Sequence, residues 1–333
     1  METKAIEEKK RTRKKIFFKK VKRFWLEIVF FLLLLLTLLF LPGQNKYEKK
    51  SAQVSNVSSS KIPNIPPPAP YPVNVKNGAP PSLSASGVVI EDVVSGVFLY
   101  KKNEEAIFSP ASITKIMTAL VALDYYSQDA ILEVSQPHLN GRIMGLLGGE
   151  KITFENLLYG LLIHSANDAA YVLAENYPGG LPSFVEAMNR KAKEINLEKT
   201  NFTNPVGFED KDHYTTPKDL ARLANFALKD RRIEKIVGIK AITISDVTYT
   251  HFHNLQNVNE LLGQIPGVAG VKTGWTENAG ECLVSLVERG GRKIIIVILR
   301  SQDRFGETEK LINWVFGNFE WQEVKFNDVG DNQ

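Results

Sequence analysis

The sequence predicts an α+β protein in which strands from both ends of one folded region form a sheet that packs against a cluster of helices. Strand patterns at residues 86–91 and 97–100 flank a Ser95-Gly96 turn, and strand patterns return after residue 240. Helical patterns dominate from residue 109 to about residue 228. Strands at both ends with helices between them are typical of one domain whose sheet joins the two ends.

The individual segments follow from the spacing of apolar residues. Apolar residues that recur every three or four positions predict a helix that begins near Ser109, and further helices at residues 153–163, 168–176, 181–195 and 216–228. Apolar stretches bounded by turn residues predict strands at residues 241–245, 271–273, 282–288 and 293–299. A final amphipathic helix is predicted at residues 306–319.

The basic residues are concentrated at the amino terminus. Residues 1–23 contain eleven Lys or Arg and three Glu, so the remainder has 30 basic and 34 acidic residues although the whole chain carries +4. A slightly acidic folded region argues against a nucleic-acid partner, because such partners are bound by basic surfaces. The single cysteine, Cys282, excludes an intramolecular disulfide, and its apolar surroundings indicate a small buried hydrophobic residue.

An apolar segment, residues 24–41, follows the basic tail and contains only Glu27 and Thr37 as polar residues. Its length is close to the ~20 residues that a helix needs to cross a bilayer. The Lys and Arg residues before it predict that residues 1–23 are cytoplasmic and that everything after residue 41 lies outside. A cleaved signal peptide is the alternative, but no A-x-A-like site follows, so an uncleaved transmembrane anchor is favoured.

Residues 42–82 are predicted to be a disordered linker. They are rich in Ser, Asn, Lys and Pro, with six prolines between residues 63 and 72, and cannot bury a core. If flexible, about 40 residues reach roughly 35 Å on average. The folded region is therefore predicted to span residues 83–320, with residues 321–333 as a polar carboxy-terminal tail.

A serine and a lysine at the first central helix are a candidate nucleophile and base. Ser109 is suited to cap this helix and Pro110 to its first position, which places Ser112 in the first turn. Backbone N–H groups there favour a developing anion, and Lys115 shares a face with the hydroxyl. A buried lysine near another cation has a lowered pKa and can deprotonate a serine. Taken alone, the pattern is more often a cap and a solvated charge.

Two later motifs favour catalysis. Ser165-Ala166-Asn167 lies between two helical segments, and Lys272-Thr273-Gly274 lies on a predicted strand. The order S-x-x-K, S-x-N, K-T-G resembles the penicillin-recognising serine enzymes. Longer stretches resemble the D-alanyl-D-alanine carboxypeptidases of the low-molecular-mass penicillin-binding proteins, the S11 serine peptidases, at residues 165–170 (SANDAA), 201–208 (NFTNPVGF), 213–222 (HYTTPKDLAR), 266–280 (PGVAGVKTGWTENAG) and 303–316.

This resemblance, which covers residues 84–320, implies a fold and an activity. The fold would be β-lactamase/transpeptidase-like, with a five-stranded antiparallel sheet against a helical cluster and the site at their junction. The activity would be removal of the terminal D-alanine from peptidoglycan stem peptides through an acyl-enzyme that also forms with β-lactams. The resemblance implies no cofactor and no metal. Together with the apolar segment and the charge asymmetry at the amino terminus, it predicts a protein of the bacterial cell membrane with an external catalytic domain.

The resemblance also assigns roles to individual residues. The catalytic residues would be a nucleophile, its base and two groups that relay the proton to the leaving D-alanine, in that order Ser112, Lys115, Ser165 and Lys272. Substrate binding would fall to Asn167 for the peptide carbonyl, Thr273 for the terminal carboxylate, and Gly274, Trp275 and Arg304. The backbone N–H groups of Ser112 and Trp275 would form the oxyanion hole. Arg304 would either assist Lys272 or be a solvated charge.

Several alternatives remain at this point. A DD-endopeptidase that cuts crosslinks has the same motifs, whereas a β-lactamase is disfavoured because no E-x-x-L-N-like stretch follows the S-x-N motif. A non-catalytic wall-binding protein would be expected to lack one of the four catalytic residues. His251 and His253 lie on one strand face without a third ligand at metal spacing, which argues against zinc. His213 is at least as compatible with a structural role as with a place in the cleft.

Overall fold

The computed structural model describes residues 24–26, 28–30, 32 and 68–324. The chain divides into two compact units, residues 1–66 and 67–333. In the first unit the described residues are helical, but no helix among the described residues is long and apolar enough to cross a membrane. The predicted basic tail, most of the predicted transmembrane segment 24–41, and residues 42–67 of the predicted linker lie outside the described residues.

Residues 68–324 contain every predicted helix and strand, together with five short strands and one helix that the sequence analysis did not predict. The strands are β1 (Tyr71–Asn74), β2 (Gly87–Asp92), β3 (Phe98–Lys102), β4 (Ile131–Glu133), β5 (Lys151–Thr153), β6 (Ala241–Ser245), β7 (Phe252–Gln256), β8 (Val268–Thr276), β9 (Gly280–Arg289), β10 (Arg292–Ser301) and β11 (Phe319–Gln322). The α-helices are α1 (Lys115–Tyr125), α2 (Phe154–Leu162), α3 (Asn167–Glu175), α4 (Gly180–Glu194), α5 (Pro217–Ala227), α6 (Arg231–Val237) and α7 (Arg304–Asn318).

Strands from both ends of the domain form one five-stranded antiparallel sheet. Its order is β3-β2-β10-β9-β8, so the first hairpin pairs with the last three long strands through β2 and β10. Asp92 closes the first hairpin, because its carboxylate accepts hydrogen bonds from the backbone N–H and hydroxyl of Ser95. The prediction of a sheet built from both chain ends is therefore confirmed, and β8 is an edge strand.

The sheet is covered on both faces. Alternate residues of its central strands point to two separate cores: Val89 and Val297 belong to the core shared with the helical cluster, whereas Ile90 and Ile296 belong to the core shared with α7. Side chains alternate across a strand, so a strand buried on both faces must be apolar at successive positions. This explains the continuous apolar sequence of β10, whose residues 294–299 are all fully buried.

The predicted boundaries of the folded region are wrong at both ends. β1 pairs antiparallel with β11, from Tyr71 opposite Gln322 to Asn74 opposite Phe319. The predicted linker 42–82 therefore contains a strand, and the predicted tail 321–333 begins inside its partner. The sequence analysis missed β1 because this segment is rich in proline. Pro72 is nevertheless compatible with a two-stranded ribbon, because a proline can occupy an edge position there. The Trp321 indole N–H also donates to Asp92, at 2.7 Å.

A chain that begins at Ser84 should be less stable than one that begins at Pro68. The shorter chain lacks β1, so β11 loses its partner and the Trp314 indole loses its acceptor, the Gly78 carbonyl. We expect the melting temperature to fall by about 3–10 °C, for a loss of about 1–3 kcal/mol. Thermal unfolding of the two chains checks this, and equal melting temperatures would show that β1 is dispensable.

Candidate active site

Ser112 lies on a 3₁₀ turn, Ala111–Thr114, that leads directly into α1. Ala111 has φ +47°, a value that non-glycine residues rarely adopt and that marks a locally strained backbone. The predicted cap is wrong: Pro110 is the N-cap residue, and the buried Ser109 hydroxyl has no hydrogen-bond partner among residues 68–324. The strained turn leaves Ser112 half-buried at the wall of a cleft.

Lys115 is fully buried beneath Ser112. Its Nζ lies 2.9 Å from the Ser112 Oγ and 3.0 Å from the Val206 carbonyl oxygen. Burial lowers the pKa of Lys115 to about 7; Asp168 opposes this shift and Arg142 reinforces it. The lysine is therefore neutral in a large fraction of molecules near pH 7, and a neutral amine beside the hydroxyl can accept its proton.

A second serine and lysine face the first pair. Ser165 adopts φ +62° in the turn between α2 and α3, and its hydroxyl lies 2.8 Å from the Lys272 Nζ. Lys272 is 1% exposed, and burial together with the charge of Lys115 holds its pKa well below the usual lysine value. Ser165 does not cap α3, because Ala166 is the N-cap residue and no side-chain hydrogen bond caps this helix.

Asn167 and Asp168 hold the loop that forms one wall of the cleft. The Asn167 amide donates to the Asn140 carbonyl at 2.9 Å, and the Asp168 carboxylate accepts hydrogen bonds from three successive backbone N–H groups at residues 144–146. These contacts hold the loop between β4 and β5 against α3, and Arg142 of this loop lines the cleft. Sequence reasoning missed both Asp168 and Arg142, although Asp168 is adjacent to the S-x-N motif.

The edge strand β8 forms the other wall and runs close to the Ser112 turn. A Cβ placed on Gly274 would lie 3.0 Å from the Ala111 Cβ and 3.2 Å from the Ser112 backbone nitrogen. Glycine is therefore needed for this approach. Gly207 has a similar role, because it has φ +87° and a Cβ there would overlap the Ala111 carbonyl.

Arg304, the first residue of α7, completes the cationic part of the cleft. Its guanidinium donates to the Gly274 carbonyl at 2.9 Å, and its buried Nε has no hydrogen-bond partner in residues 68–324. Arg304 is half-buried and lines the cleft, so it is not the solvated loop charge that the sequence left open.

The cleft has a volume of about 550 Å³. It brings together every residue that the sequence analysis assigned to the site, from segments separated by up to about 190 positions. Two of these, Lys115 and Lys272, lie beneath its floor, each bonded to its serine. The others line it directly, namely Ser112, Ser165, Asn167, Thr273, Gly274, Trp275 and Arg304.

The histidines considered in the sequence make structural contacts. His213 is buried, with Nε2 2.9 Å from the Thr114 hydroxyl and with Nδ1 accepting from the Thr203 N–H. Burial lowers its pKa to about 4, so it is neutral at pH 7 and links the Ser112 turn to the loop before α5. His253 is also buried and lies 2.7 Å from the Glu150 carboxylate.

Comparisons with known proteins agree with this geometry. A sequence model of the D-alanyl-D-alanine carboxypeptidase family, peptidase S11, matches residues 74–303. The chain is 33% identical over 246 residues to a D-alanyl-D-alanine carboxypeptidase of Bacillus subtilis, covering 71% of this chain and 63% of that protein. It is 33% identical over 257 residues to a D-alanyl-D-alanine carboxypeptidase of Streptomyces sp. K15, covering 71% of this chain and 88% of that protein.

Two further comparisons are with a relative named for a different activity and with a crystal structure. A D-alanyl-D-alanine endopeptidase of Escherichia coli is 28% identical over 245 residues, covering 71% of this chain and 78% of that protein. The crystal structure of the Streptomyces K15 DD-transpeptidase superposes with a TM-score of 0.67 at 32% identity, covering 72% of this chain and all of that one. The chain thus spans less than two thirds of the Bacillus relative but the whole of this solved structure.

Proposed function

This chain belongs to the D-alanyl-D-alanine carboxypeptidase family, and we propose that it is a serine-type carboxypeptidase that removes the terminal D-alanine from peptidoglycan stem peptides. One observation carries the proposal. The Ser112 hydroxyl lies 2.9 Å from a buried lysine whose pKa is about 7, at the wall of an open cleft. Few serines in a protein have a neutral amine within hydrogen-bond distance, and this is the arrangement that activates a nucleophile.

The acylation step follows from this geometry. The Ser112 Oγ attacks the carbonyl carbon of the penultimate D-alanine while the Lys115 Nζ takes the hydroxyl proton. The carbonyl oxygen becomes an oxyanion that the backbone N–H groups of Ser112 and Trp275 stabilise; a donor of this kind contributes about 3 kcal/mol. The C–N bond then breaks, and the leaving nitrogen takes the proton that Lys115 received, relayed through Lys272 and Ser165, which are in hydrogen-bond contact, so Lys115 is neutral again.

Deacylation releases the shortened peptide. A water molecule attacks the ester on Ser112, gives one proton to the neutral amine of Lys115, and that proton returns to the Ser112 Oγ as the ester bond breaks. A β-lactam acylates Ser112 in the same way, but its leaving nitrogen stays attached through the ring and remains in the cleft. β-Lactams are therefore inhibitors of the proposed enzyme.

The cationic groups at one part of the cleft favour a substrate that carries a free carboxylate. Lys272 donates to the Thr273 carbonyl and Arg304 to the Gly274 carbonyl, and the buried Arg304 Nε has no hydrogen-bond partner within residues 68–324. An anion next to these groups gains charge-assisted hydrogen bonds. Thr273 and Asn167 then hold the terminal carboxylate and the peptide carbonyl.

The DD-endopeptidase alternative is distinguished by the bond that is cut. Two relatives named endopeptidases are 28% and 29% identical to this chain, whereas two named carboxypeptidases reach 33%. Incubation with a peptide that ends in D-Ala-D-Ala should release one equivalent of D-alanine. A D-Ala-linked crosslinked dimer without a free D-Ala-D-Ala end should be cleaved much more slowly, and preferential cleavage of the dimer would favour the endopeptidase.

The amino-terminal segment would hold this enzyme at the bacterial cell membrane. Residues 24–41 would act as an uncleaved transmembrane anchor, with residues 1–23 in the cytoplasm and the catalytic domain outside; the apolar length and the Lys and Arg asymmetry support this. Anchoring confines catalysis to wall peptides within reach of the linker. Amino-terminal sequencing of protein recovered from membranes tests this, since a mature start near residues 42–50 would identify a cleaved signal peptide.

A further inference from the structure

One wall of the cleft is formed by the Arg142 loop, residues 134–150, which connects β4 to β5. Arg142 is exposed and lines the cleft. Its backbone carbonyl accepts from the Asn167 backbone N–H at 2.7 Å, and a Cβ placed on Gly141 would overlap the Asn167 side-chain amide. A shift of this loop would therefore move a cation of the cleft and disturb the amide that holds the peptide carbonyl in the proposed mechanism.

His253 holds the Arg142 loop from outside the cleft. It is a buried residue of β7, and its Nδ1 lies 3.1 Å from the Met144 carbonyl oxygen. Its Nε2 lies 2.7 Å from the Glu150 carboxylate, whose other oxygen accepts from the Leu147 N–H at 2.9 Å. One imidazole thus ties the middle and the end of the loop to the β6–β7 hairpin.

The hydrogen-bond chemistry of this contact is specific. A carbonyl oxygen can only accept, so the Nδ1 of His253 carries a proton. The contact between Nε2 and Glu150 then needs one further proton, which the buried imidazole and carboxyl group share. Buried polar groups are costly unless their hydrogen bonds are made. The pair therefore favours the one arrangement of the Arg142 loop in which all these bonds form.

Met144 is held from two sides, two residues after Arg142. Its N–H donates to the Asp168 carboxylate of α3 at 3.1 Å, and its carbonyl accepts from His253 of β7. Because α3 and β7 fix this peptide from opposite groups, the path of the chain through Arg142 is set by both. Removal of the His253 contact leaves the loop attached to α3 alone at this point.

The position of Arg142 matters for the two lysines of the site. Burial is the main cause of the lowered pKa of Lys115; Asp168 opposes this shift, and the charge of Arg142 adds to it. Burial also lowers the pKa of Lys272, and the charges of Lys115, Arg304 and Arg142 add to that shift. If the loop moved away, Lys115 would be more often protonated near neutral pH, and acylation would be slower there.

We propose that His253 and Glu150 are positioning residues for catalysis, because they hold the Arg142 loop where Arg142 and Asn167 serve the cleft. This inference rests on the proposed carboxypeptidase function. Both residues are buried, and neither lines the cleft, so they act through the loop. A pair that only stabilised the fold would change the amount of folded enzyme, whereas positioning residues change the pH dependence of acylation.

A double variant separates these two roles. His253→Leu combined with Glu150→Met replaces the buried pair by apolar side chains, an exchange that is often nearly neutral for stability, so the urea midpoint should change little. Penicillin acylation rates of the full-length enzyme are compared at pH 6 and pH 9. Their ratio cancels any effect that is equal at both pH values. We expect the pH 6 to pH 9 ratio to fall about 2- to 5-fold in the double variant.

Three further variants assign this effect. In Glu150→Gln the amide can accept from the Leu147 N–H and donate to a neutral His253, so the ratio should stay at the wild-type value. His251→Ala is the matched control, because His251 is an exposed histidine of the same hairpin whose contacts are with Thr250 and Asp246; it should also keep the ratio. In an Arg142→Gln background the double variant should cause no further fall, because the charge is already absent.

Amide hydrogen exchange gives a readout that does not depend on activity. The double variant should exchange at least about tenfold faster in residues 140–149, and Glu150→Gln should not. Unchanged exchange or an unchanged acylation ratio in the folded double variant would overturn the inference, as would an equal fall in the Arg142→Gln background or in His251→Ala. Failure of penicillin to acylate the wild-type enzyme would instead overturn the proposed function, and the exchange comparison would still test the hold on the loop.

Discussion

Replacing Ser112 with alanine is expected to abolish covalent labelling by a fluorescent penicillin and to lower kcat/KM on a D-Ala-D-Ala peptide by at least about 10⁴-fold. The hydroxyl is the only group at this position that can form the acyl-enzyme, and its proton has one acceptor among its contacts, the Lys115 Nζ at 2.9 Å. The fold should be retained, because the substitution removes one half-buried oxygen and leaves Lys115 bonded to the Val206 carbonyl.

The matched control lies just before the same turn. Ser109 precedes Pro110, the N-cap residue, and its buried hydroxyl has no hydrogen-bond partner within residues 68–324. Ser109→Ala should therefore label normally, with stability unchanged or slightly increased, since it removes an unsatisfied polar group. Penicillin labelling of purified proteins, followed on a gel, compares the two variants directly. Stoichiometric labelling of Ser112→Ala would remove Ser112 from the role of nucleophile.

The long strands are recognisable in the sequence because of their burial. β9 and β10 are covered on both faces, so the apolar stretches at residues 282–288 and 293–299 mark them without ambiguity. The structure extends each strand by one or two residues at either end, because the polar strand ends continue the hydrogen-bonding ladder. The pair formed by β1 and β11 could not be found in this way. Each strand has four residues, and their pairing joins positions about 250 residues apart.

The residues of the site were predictable, whereas their geometry was not. Three short motifs identify both serines and both lysines, but no local pattern indicates that Ala111 and Ser165 adopt positive φ angles. The Ser109 cap was predicted from a preference that holds for regular helix starts. Here the chain enters α1 through a 3₁₀ turn, so the preference does not apply. The helix α6, Arg231–Val237, was missed because seven residues are too few to show a helical period.

The second large effect concerns Lys115 and pH. Only the neutral amine can accept the Ser112 proton, and the pKa of Lys115 is about 7. The acylation rate should therefore rise about tenfold per pH unit below pH 7 and level off above it. Arg142→Gln should move the midpoint of this profile to higher pH, because it removes a positive charge that lowers the pKa of Lys115. A rate independent of pH between 5 and 9 would exclude Lys115 as the base.

Lys115→Arg and Lys115→Met should both lower the acylation rate by about 10²–10⁴-fold, because arginine stays protonated and methionine has no base. Their stabilities should differ. The unfolded chain binds a proton at Lys115 up to about pH 10.5, whereas the folded chain releases it near pH 7, so burial of this lysine destabilises the fold fully below pH 7 and not at all above pH 10.5. Lys115→Met removes that cost, and in urea unfolding at pH 7 it should be more stable than wild type by about 1–3 kcal/mol. A methionine variant that is inactive and clearly less stable would show that the lysine supports the fold as well as the reaction.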